Sequence, residues 1–523
     1  MPPSSADLAA LQTDLAHDLA RFAPELVLAG TIVALLVAKL FSSLDRVNLT
    51  TFAGAGAAFA LGFLAWQFVE PARFPDGPAF AGLIALDTLA GFVRALVLTA
   101  TLVVLAMCGL SGLPDREDSA DFGTLLLGAA LGMMLMASGN HLLIVFLAVE
   151  MASLPSYGLA GFLKGKRAGS EAALKYVVYG AAASGVMLYG ISLLAGGFGT
   201  GSLPGVAKGF AAAAEAGRMP ALPAVGIAMV LVGLAFKLSA VPFHFWLPDV
   251  FDGAATEVAA FLSVASKAAA VGLTARFLLA LQGEAVLNGP GFVVLPQSFG
   301  MAILVVAAVT ATLGNLAAMA QTNLKRFLAY STIAHAGYVL MALSTLTREG
   351  AAAALFYMAA YLPMNLGAFA VAAVVRDRTG SESVDACRGL LARSPALGVG
   401  LAVCVLGLLG LPPLAGFAGK FQVFAAVYDA GRGYAGLGRP GLGTAYLVLL
   451  GVGAVNTAVS AGYYLRLLRI VTLDEPGTDE KGNAVPLGES WSAAATVVAL
   501  AVAVVALGVW WGPLATAAAR AAG

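Results

Sequence analysis

Long apolar stretches constrain this chain more than any other feature. Windows of about 20 apolar residues are long enough to cross the hydrocarbon core of a bilayer as helices. Hydrophobic residues make up 60% of the 523 residues and charged residues only 11%, which excludes an ordinary soluble globular protein. The sequence therefore predicts an all-α integral membrane protein with about fourteen spans. The spans run approximately over residues 22–41, 48–69, 83–110, 122–138, 140–162, 172–195, 222–245, 256–280, 299–320, 324–346, 352–375, 396–425, 443–471 and 491–512.

The distribution of loop cations predicts the orientation in the membrane. An even number of spans places both termini on the same side. Lysines and arginines are more frequent in the loops that follow odd-numbered spans than in the termini and the other loops, and basic loops stay on the cytoplasmic side. We therefore expect a multi-pass protein of the cell inner membrane with both termini on the periplasmic side.

Charge and potential metal ligands exclude several classes of function. The net charge is zero, and no basic cluster predicts a nucleic-acid partner. The cysteines Cys108, Cys387 and Cys404 have no CxxC spacing, and the four histidines show no paired ligand spacing. No haem, iron–sulfur or zinc site is expected. We expect any associated redox chemistry to take place in another subunit.

One predicted span contains both a lysine and a helix break. The stretch Leu231 to Asp249 carries Lys237, and Pro242 follows five residues later. A lysine in the middle of a bilayer costs about 2.5–3.5 kcal/mol on insertion scales, and proline leaves a backbone carbonyl without its helical partner. Transporters build ion sites from broken helices of this kind.

A second lysine and a second break repeat this arrangement in reverse order. Pro412 and Pro413 interrupt the twelfth span, and Lys420 follows the break. Two inverted repeats give such a mirrored order, because each broken helix crosses the membrane in the opposite direction. The predicted units are residues 1–121 (spans 1–3), 122–280 (first repeat, spans 4–8), 281–471 (second repeat, spans 9–13) and 472–523 (span 14).

Three further ionisable residues lie inside predicted spans. Glu150 shares a helix face with Ser153 and Tyr157; it is either a proton site or half of a structural ion pair with a lysine. Lys267 lies near the centre of its span, where burial disfavours its charge and a nearby carboxylate would favour it. His335 suits proton transfer near neutral pH, although a lone histidine is also often a satisfied core residue.

Other polar residues in the spans leave two interpretations open. Lys175, near the start of its span, is expected to reach the membrane surface by snorkelling. Asn365 and the stripe Asn456, Ser460 and Tyr463 either hold water or bond neighbouring helices together. The residues predicted to form a chain of proton sites are Glu150, Lys237, Lys267, His335 and Lys420.

Three stretches of the sequence carry a resemblance to a known family. They are GLAFKLSAVPFHFWLPDVFDGAATEVAAFLSVASKAA, QTNLKRFLAYSTIAHAGY and GLPPLAGFAGKF. They resemble motifs of the antiporter-like membrane subunits of respiratory complex I, and the resemblance extends from Pro24 into the thirteenth span. The family has three types of subunit. Lys420 and the DVFDGA sequence favour the type with lysine at position 420 over the type that is expected to have glutamate there. The lack of a lateral helix after the last span favours it over the third type. Ala255 and Glu257 depart from the family, which often has prolines there.

The resemblance implies a role for each matching residue. Glu150 and Lys237 would be a coupled carboxylate–lysine pair, and Lys267 the central lysine. His335 would link the two half-channels, one in each repeat, and Lys420 would be the lysine of the second half-channel. Lys175 would belong to a proton-uptake path from the cytoplasm.

The resemblance also implies partners and cofactors. The chain would assemble with other membrane subunits of complex I in the lipid bilayer and translocate protons when quinone is reduced elsewhere in the complex. It would bind no cofactor itself, while NADH, FMN, iron–sulfur clusters and quinone would belong to other subunits. The alternatives are a subunit of a related cation/proton antiporter or membrane-bound hydrogenase, a stand-alone secondary transporter, and a scaffold subunit without a proton path.

Overall fold

The structure is a computed structural model that describes residues 5–41, 47–163, 165–215, 221–287, 299–476, 487–488 and 490–523. Helices dominate it, as the apolar sequence predicts. Their bounds are α1 Ser5–Arg21, α2 Ala23–Ala38, α3 Thr50–Val69, α4 Thr88–Ser111, α5 Ser119–Ser138, α6 Leu142–Ala160, α7 Arg167–Phe198, α8 Leu203–Glu215, α9 Ala221–Leu238, α10 Trp246–Gly253, α11 Thr256–Leu287, α12 Met301–Met319, α13 Leu324–Ser344, α14 Arg348–Thr379, α15 Leu390–Arg393, α16 Pro395–Leu409, α17 Ala415–Gly436, α18 Pro440–Thr472, α19 Trp491–Val509 and α20 Gly512–Ala521.

The number of membrane-spanning helices is close to the predicted one. Within the described ranges, twelve helices are long and apolar enough to cross a membrane, and the pair α1–α2, bent by 74°, would be a thirteenth. The predicted twelfth span corresponds to two helices, α16 and α17, and α16 has only 15 residues. The count of fourteen, the two repeats and the boundaries of the four units therefore stay predictions.

Some elements are not apparent from hydropathy. A short antiparallel hairpin pairs β1 (Gly77–Ala79) with β2 (Ile84–Leu86), so the predicted third span begins as a strand and becomes helical only at Thr88. The helices α1, α8 and α20 were also not predicted as spans. Four of the loop cations used to predict orientation, Arg46, Lys164, Arg218 and Lys481, lie outside the described residues.

Both predicted helix breaks are present. Helix α9 ends at Leu238, Ser239 has a positive φ of 57°, and α10 begins at Trp246. Helix α16 ends at Leu409, Gly410 has a φ of 90°, and α17 begins at Ala415. Lys237 consequently lies in the last turn of α9, directly before the break, and Lys420 lies in the second turn of α17, directly after it.

Three helices form the centre of the bundle. The apolar windows of α11 and α14 are completely buried, and α13 is almost completely buried. Lys267, His335 and Asn365 lie on these central helices. Because lipid cannot contact these helices, the polar groups they carry must find partners inside the protein.

Two largely buried ion pairs link helices of the bundle. Arg94 of α4 bonds Glu25 of α2, and both side chains are buried. Arg376 of α14 bonds Glu257 of α11 at 3.1 Å. Glu257 is one of the two positions that depart from the related family, so this departure adds a carboxylate whose charge Arg376 balances.

A glycine allows α5 and α6 to approach closely beside Glu150. A Cβ atom added at Gly132 of α5 would lie 2.3 Å from the backbone nitrogen of Ala152 in α6. Helix backbones in membranes pack this closely only where a residue has little or no side chain. Gly132 therefore fixes the position of the α6 segment that carries Glu150 and Ser153.

Replacing Gly132 with alanine is expected to push α6 away and to destabilise the protein by about 1–3 kcal/mol, the usual cost of overpacking. Thermal unfolding in detergent measures this. Gly109→Ala in α4 is the matched control, because nothing lies within 4 Å of the added Cβ. Equal melting temperatures for the two variants would contradict the assigned role of Gly132.

Candidate functional site

The first helix break holds Lys237 against a serine of α6. Lys237 Nζ donates a hydrogen bond of 2.6 Å to Ser153 Oγ, and Ser153 Oγ–H donates to the carbonyl of Val149. Lys237 is only 3% exposed. The ammonium is therefore bound by a neutral hydroxyl within the protein interior.

Glu150 lies one helical turn before Ser153, but it does not contact Lys237 directly. No oxygen of Glu150 lies within the 4.0 Å of Lys237 Nζ that defines an ion pair, and Glu150 Oε1 is buried without a hydrogen-bond partner. The structural ion pair considered for Glu150 is thus absent as a direct contact in the described structure.

Lys267 binds backbone and side-chain oxygens at the end of α9. Its Nζ donates a hydrogen bond of 2.8 Å to the carbonyl oxygen of Lys237 and another to the hydroxyl of Ser239. The last carbonyls of a helix have no intrahelical partner and carry partial negative charge. The break therefore creates the acceptor that binds the second lysine.

An aromatic cluster covers this lysine. Helix α10 brings the Trp246 ring to 5.0 Å from Lys267 Nζ, and Trp246 Nε1 donates to the carbonyl of Phe236. Tyr176 stacks on Trp246 with ring centroids 4.3 Å apart, and Tyr157 packs edge-on against Tyr176. The face of an aromatic ring stabilises a cation electrostatically, so Trp246 favours the charged form of the lysine.

A small cavity separates Lys267 from His335. Its water-accessible volume is about 10 Å³, close to the roughly 10–15 Å³ that one water requires. Lys267, His335, Thr332, Tyr357 and Tyr361 are among the residues that line it. The central lysine and the histidine therefore face the same interior space.

Two tyrosine hydroxyls bind the imidazole of His335. Nδ1 lies 2.6 Å from the hydroxyl of Tyr357 in α14, and Nε2 lies 3.0 Å from the hydroxyl of Tyr464 in α18. The Tyr464 hydroxyl also bonds Ser331 at 2.6 Å. Both ring nitrogens have a hydrogen-bond partner, as is usual for a structural histidine in a protein core. Each partner is a hydroxyl, which can both donate and accept a hydrogen bond.

Lys420 repeats the lysine–carbonyl contact at the second break. Its Nζ donates a hydrogen bond of 2.8 Å to the carbonyl oxygen of Leu409, the last residue of α16. The same ammonium lies 4.8 Å from the ring centroid of Tyr338 in α13. The ring of His335 packs against the same Tyr338, with ring centroids 6.0 Å apart.

The predicted residues thus form one row through the bundle. Glu150 lies one helical turn before the serine that binds Lys237, and the backbone carbonyl of Lys237 accepts from Lys267. Lys267 shares a cavity with His335, and His335 and Lys420 both lie against the ring of Tyr338. The structure brings the five residues close together, and a backbone carbonyl, a small cavity and an aromatic ring lie between neighbours of the row rather than direct ion pairs.

Lys175 lies apart from this row, in a charged network at the protein surface. It bonds Asp249 of α10 at 2.7 Å and Glu171 at 2.8 Å. Arg326 of α13 bonds the other oxygen of Asp249 at 2.9 Å. Asp249 follows Trp246 on the same short helix, so this network anchors the element that covers Lys267.

The other polar residues of the spans mostly connect helices. Asn365 of α14 donates to Ser263 of α11. Asn456 of α18 donates to Thr312 of α12 at 3.0 Å and accepts from Asn315 at 3.1 Å. These contacts favour the second interpretation of Asn456, in which it bonds neighbouring helices together.

Sequence reasoning did not identify several groups of the site. Ser239, Trp246, Tyr357 and Tyr464 contact its ionisable residues directly, although none was singled out. A usable signal for the tyrosines exists: a tyrosine in the middle of an apolar span must find a hydrogen-bond partner for its hydroxyl. The sequence does not indicate which partner each hydroxyl binds.

Comparison with known proteins agrees with the arrangement of the site. A family model described as NADH:quinone oxidoreductase/Mrp antiporter, TM matches residues 139–436, which is more than half of the chain. The chain belongs to this family. The matched residues contain both helix breaks and every residue of the row, and the family predicted from the sequence motifs is confirmed.

Relatives within this family include subunits N of NADH-quinone oxidoreductases. The subunit N of Anaeromyxobacter sp. (strain Fw109-5) is 42% identical, and the match covers 94% of each chain. The subunit N 2 of Sorangium cellulosum (strain So ce56) is 40% identical, with 96% of each chain covered.

Solved structures in the same family have the same fold. A chain of respiratory complex I from Thermus thermophilus is 33% identical, with a TM-score of 0.74 over 94% of this chain and 98% of that chain. A chain of the Mrp complex from Dietzia sp. DQ12-45-1b has a TM-score of 0.81 over 96% and 97% at only 21% identity. The predicted fold class, an all-α integral membrane protein, is thereby confirmed.

Asn456→Ala is expected to weaken the contact between α12 and α18 without altering the row of ionisable residues. Interhelical hydrogen bonds in membranes contribute about 0.6–1.7 kcal/mol, so a small decrease in melting temperature is expected. Thermal unfolding of the purified protein measures it. Thr444→Ala in the same helix is the control, because Thr444 bonds only its own helix. A larger decrease for the control would contradict the assignment.

Proposed function

We propose that the chain is the N-type subunit of a bacterial NADH:quinone oxidoreductase and moves protons through the row of buried ionisable residues. The family and the subunit N relatives support the assignment to this complex. The observation that carries the proton function is the row itself, with each of its lysines and its histidine at most 4% exposed. Such groups are costly inside a membrane protein and are generally functional there.

The first half of the row responds to charge. A charge change at the quinone end of the complex alters the attraction between Glu150 and Lys237. Lys237 and Lys267 share the end of α9, where the carbonyl of one accepts a hydrogen bond from the other. The two ammonium groups carry like charges, which repel each other more strongly in a low dielectric than in water. Movement of the Lys237 charge therefore changes how strongly Lys267 holds its proton.

The second half of the row completes the passage. The small cavity joins Lys267 to His335. Hydroxyls of Tyr357 and Tyr464 hold both imidazole nitrogens, so a proton arriving at one nitrogen is matched by release at the other. Lys420 receives or returns the proton at the second break.

The surrounding complex supplies the driving reaction. We propose that this subunit is a non-redox part of a translocase in the inner membrane, with both termini on the periplasmic side. NADH, FMN, iron–sulfur clusters and quinone then act in other subunits, and the partners of this chain are the neighbouring membrane subunits. Lys175, exposed near Asp249, belongs to proton uptake from the cytoplasm.

A subunit of a cation/proton antiporter is the second candidate, because the fold is shared with the Mrp complex. Co-purification from native membranes distinguishes the two. Redox subunits that reduce quinone support the first proposal, whereas a complex without them supports the second.

Lys237→Ala in the assembled complex tests the row. Removal of an essential proton-transfer group is expected to lower the number of protons pumped per quinone reduced by at least about twofold. Reconstituted vesicles with a pH-sensitive dye measure pumping, while NADH oxidation measures turnover. Lys39→Ala is the control, because Lys39 bonds only surface groups. Unchanged pumping by a fully assembled Lys237→Ala complex would contradict the proposed function.

Tyr464→Phe tests the second half through a hydroxyl. This change removes the hydrogen bonds to His335 Nε2 and Ser331 and is expected to reduce pumping by about twofold or more, because a positioned proton donor is lost. Tyr446→Phe in the same helix is the control, since that buried hydroxyl donates to the carbonyl of Ser344 and does not contact the histidine. Equal pumping by the two variants would exclude the Tyr464 hydroxyl from the path.

A further inference from the structure

We propose that Ser153 is a positioning residue that keeps the charge of Lys237 separated from Glu150, so that the lysine has two alternative acceptors. The hydroxyl of Ser153 binds the ammonium in one position, and the carboxylate of Glu150 binds it in the other. This inference rests on the proposed function, because it names the residue that lets the ammonium of Lys237 move between two acceptors during proton transfer.

Ser153 is the acceptor that the ammonium uses in this structure. The hydrogen bond that Lys237 Nζ donates to Ser153 Oγ is 2.6 Å long. This is short for a hydrogen bond with a nitrogen donor and indicates a charged donor. Among the described residues, no other hydrogen-bond acceptor binds Lys237 Nζ. Ser153 is fully buried, so solvent does not compete for this hydroxyl.

The hydroxyl itself is fixed by the helix. Ser153 Oγ–H donates to the carbonyl of Val149 at 2.5 Å, a bond that serine readily makes within its own helix. Because the proton of the hydroxyl points to Val149, the oxygen lone pairs remain available to Lys237. Ser153 therefore presents an acceptor at a constant place on α6.

Glu150 is the competing acceptor. It precedes Ser153 by three residues on α6, and such residues are neighbours on one face of a helix. Its Oε1 is buried without a partner, a costly state for a carboxylate oxygen. The ammonium of Lys237 would satisfy that oxygen by moving along α6 by one turn. A flexible four-carbon side chain allows such a movement.

The two positions have different consequences for the row. In the position observed, the charge of Lys237 is only partly balanced and therefore acts on Lys267. In direct contact with Glu150, the charge is neutralised and Lys267 is released from repulsion. Without the serine hydroxyl, the ammonium would remain on the carboxylate as a permanent ion pair. Ser153 thus keeps the ammonium of Lys237 apart from the carboxylate of Glu150 in the arrangement that the structure shows.

Ser153→Ala in the assembled complex tests this inference. Loss of a hydrogen bond to a charged group shifts an equilibrium by about tenfold or more, and we expect protons pumped per quinone reduced to fall by at least about twofold. Ser156→Ala is a closely matched control: Ser156 is equally buried on the same helix and donates to its own helix carbonyl at 2.6 Å, but it does not bind Lys237.

Two further variants separate positioning from packing. Ser153→Thr retains the hydroxyl and should restore pumping, whereas Ser153→Cys retains the volume but accepts hydrogen bonds weakly and should behave like alanine. On a Glu150→Gln background the carboxylate that traps the ammonium is absent, so Ser153→Ala should cause little additional loss. This non-additivity is the signature of two residues acting on one lysine.

The outcomes distinguish this inference from the proposed function. If Lys237→Ala and Glu150→Gln reduce pumping while Ser153→Ala behaves like Ser156→Ala, the positioning role is wrong and the proton function stands. If Ser153→Ala lowers pumping on the Glu150→Gln background as much as it does in the wild type, the positioning role is also wrong. The serine would then act independently of the carboxylate. If Lys237→Ala leaves pumping unchanged, the proposed function itself fails.

Discussion

Two helix breaks each provide a lysine with a backbone carbonyl, and the row of buried ionisable residues that we propose for proton transfer depends on these contacts. At the first break the carbonyl of Lys237 accepts from Lys267, and at the second the carbonyl of Leu409 accepts from Lys420. An unbroken helix would use these oxygens in its own hydrogen bonds. The breaks free them inside the bundle, where the partial negative charge of a helix C-terminus stabilises an ammonium that lipid would exclude. Each cation is thus held without a permanent counter-ion, and its charge remains able to respond to its neighbours.

Hydroxyl groups bind three of the ionisable residues of the row. Ser153 binds Lys237, Ser239 binds Lys267, and Tyr357 and Tyr464 bind His335. A hydroxyl both donates and accepts, so it stays hydrogen-bonded whether its neighbour holds a proton or has released it. Direct carboxylate–lysine contacts would instead stabilise one protonation state strongly. Strong ion pairs such as Glu25–Arg94 and Glu257–Arg376 instead link helices away from the row, and weaker polar contacts hold the residues of the row.

The short helix α10 links the surface to the centre of the site. Its Asp249 is bonded by Lys175 of α7 and Arg326 of α13, while its Trp246 covers Lys267. These contacts join helices that belong to both predicted repeats. The fold is shared with an Mrp complex chain at low sequence identity, so the architecture alone does not distinguish a respiratory subunit from an antiporter subunit. The distinction comes from the subunit N relatives, which are about 40% identical over nearly the entire chain.

The sequence by itself determined the membrane class, most of the spans and both breaks, and it predicted the five residues of the row. These properties are local: hydropathy depends on composition within a window, a proline interrupts its own helix, and a charge in an apolar span is visible without any partner. The family also followed from contiguous motifs. Hydropathy merged α16 and α17 into one span because it does not register a turn between two apolar helices.

Only the tertiary structure decided which atoms meet. Lys267 bonds a carbonyl that lies 30 residues earlier in the chain, Ser153 rather than Glu150 receives Lys237, and Tyr464 reaches His335 from a helix 129 residues away in sequence. These contacts depend on how closely and at what rotation the helices pack. Gly132, for example, sets the approach of α5 to α6 through the absence of a side chain. An apolar span of given hydropathy is compatible with many such packings, and the neighbours in three dimensions select one of them.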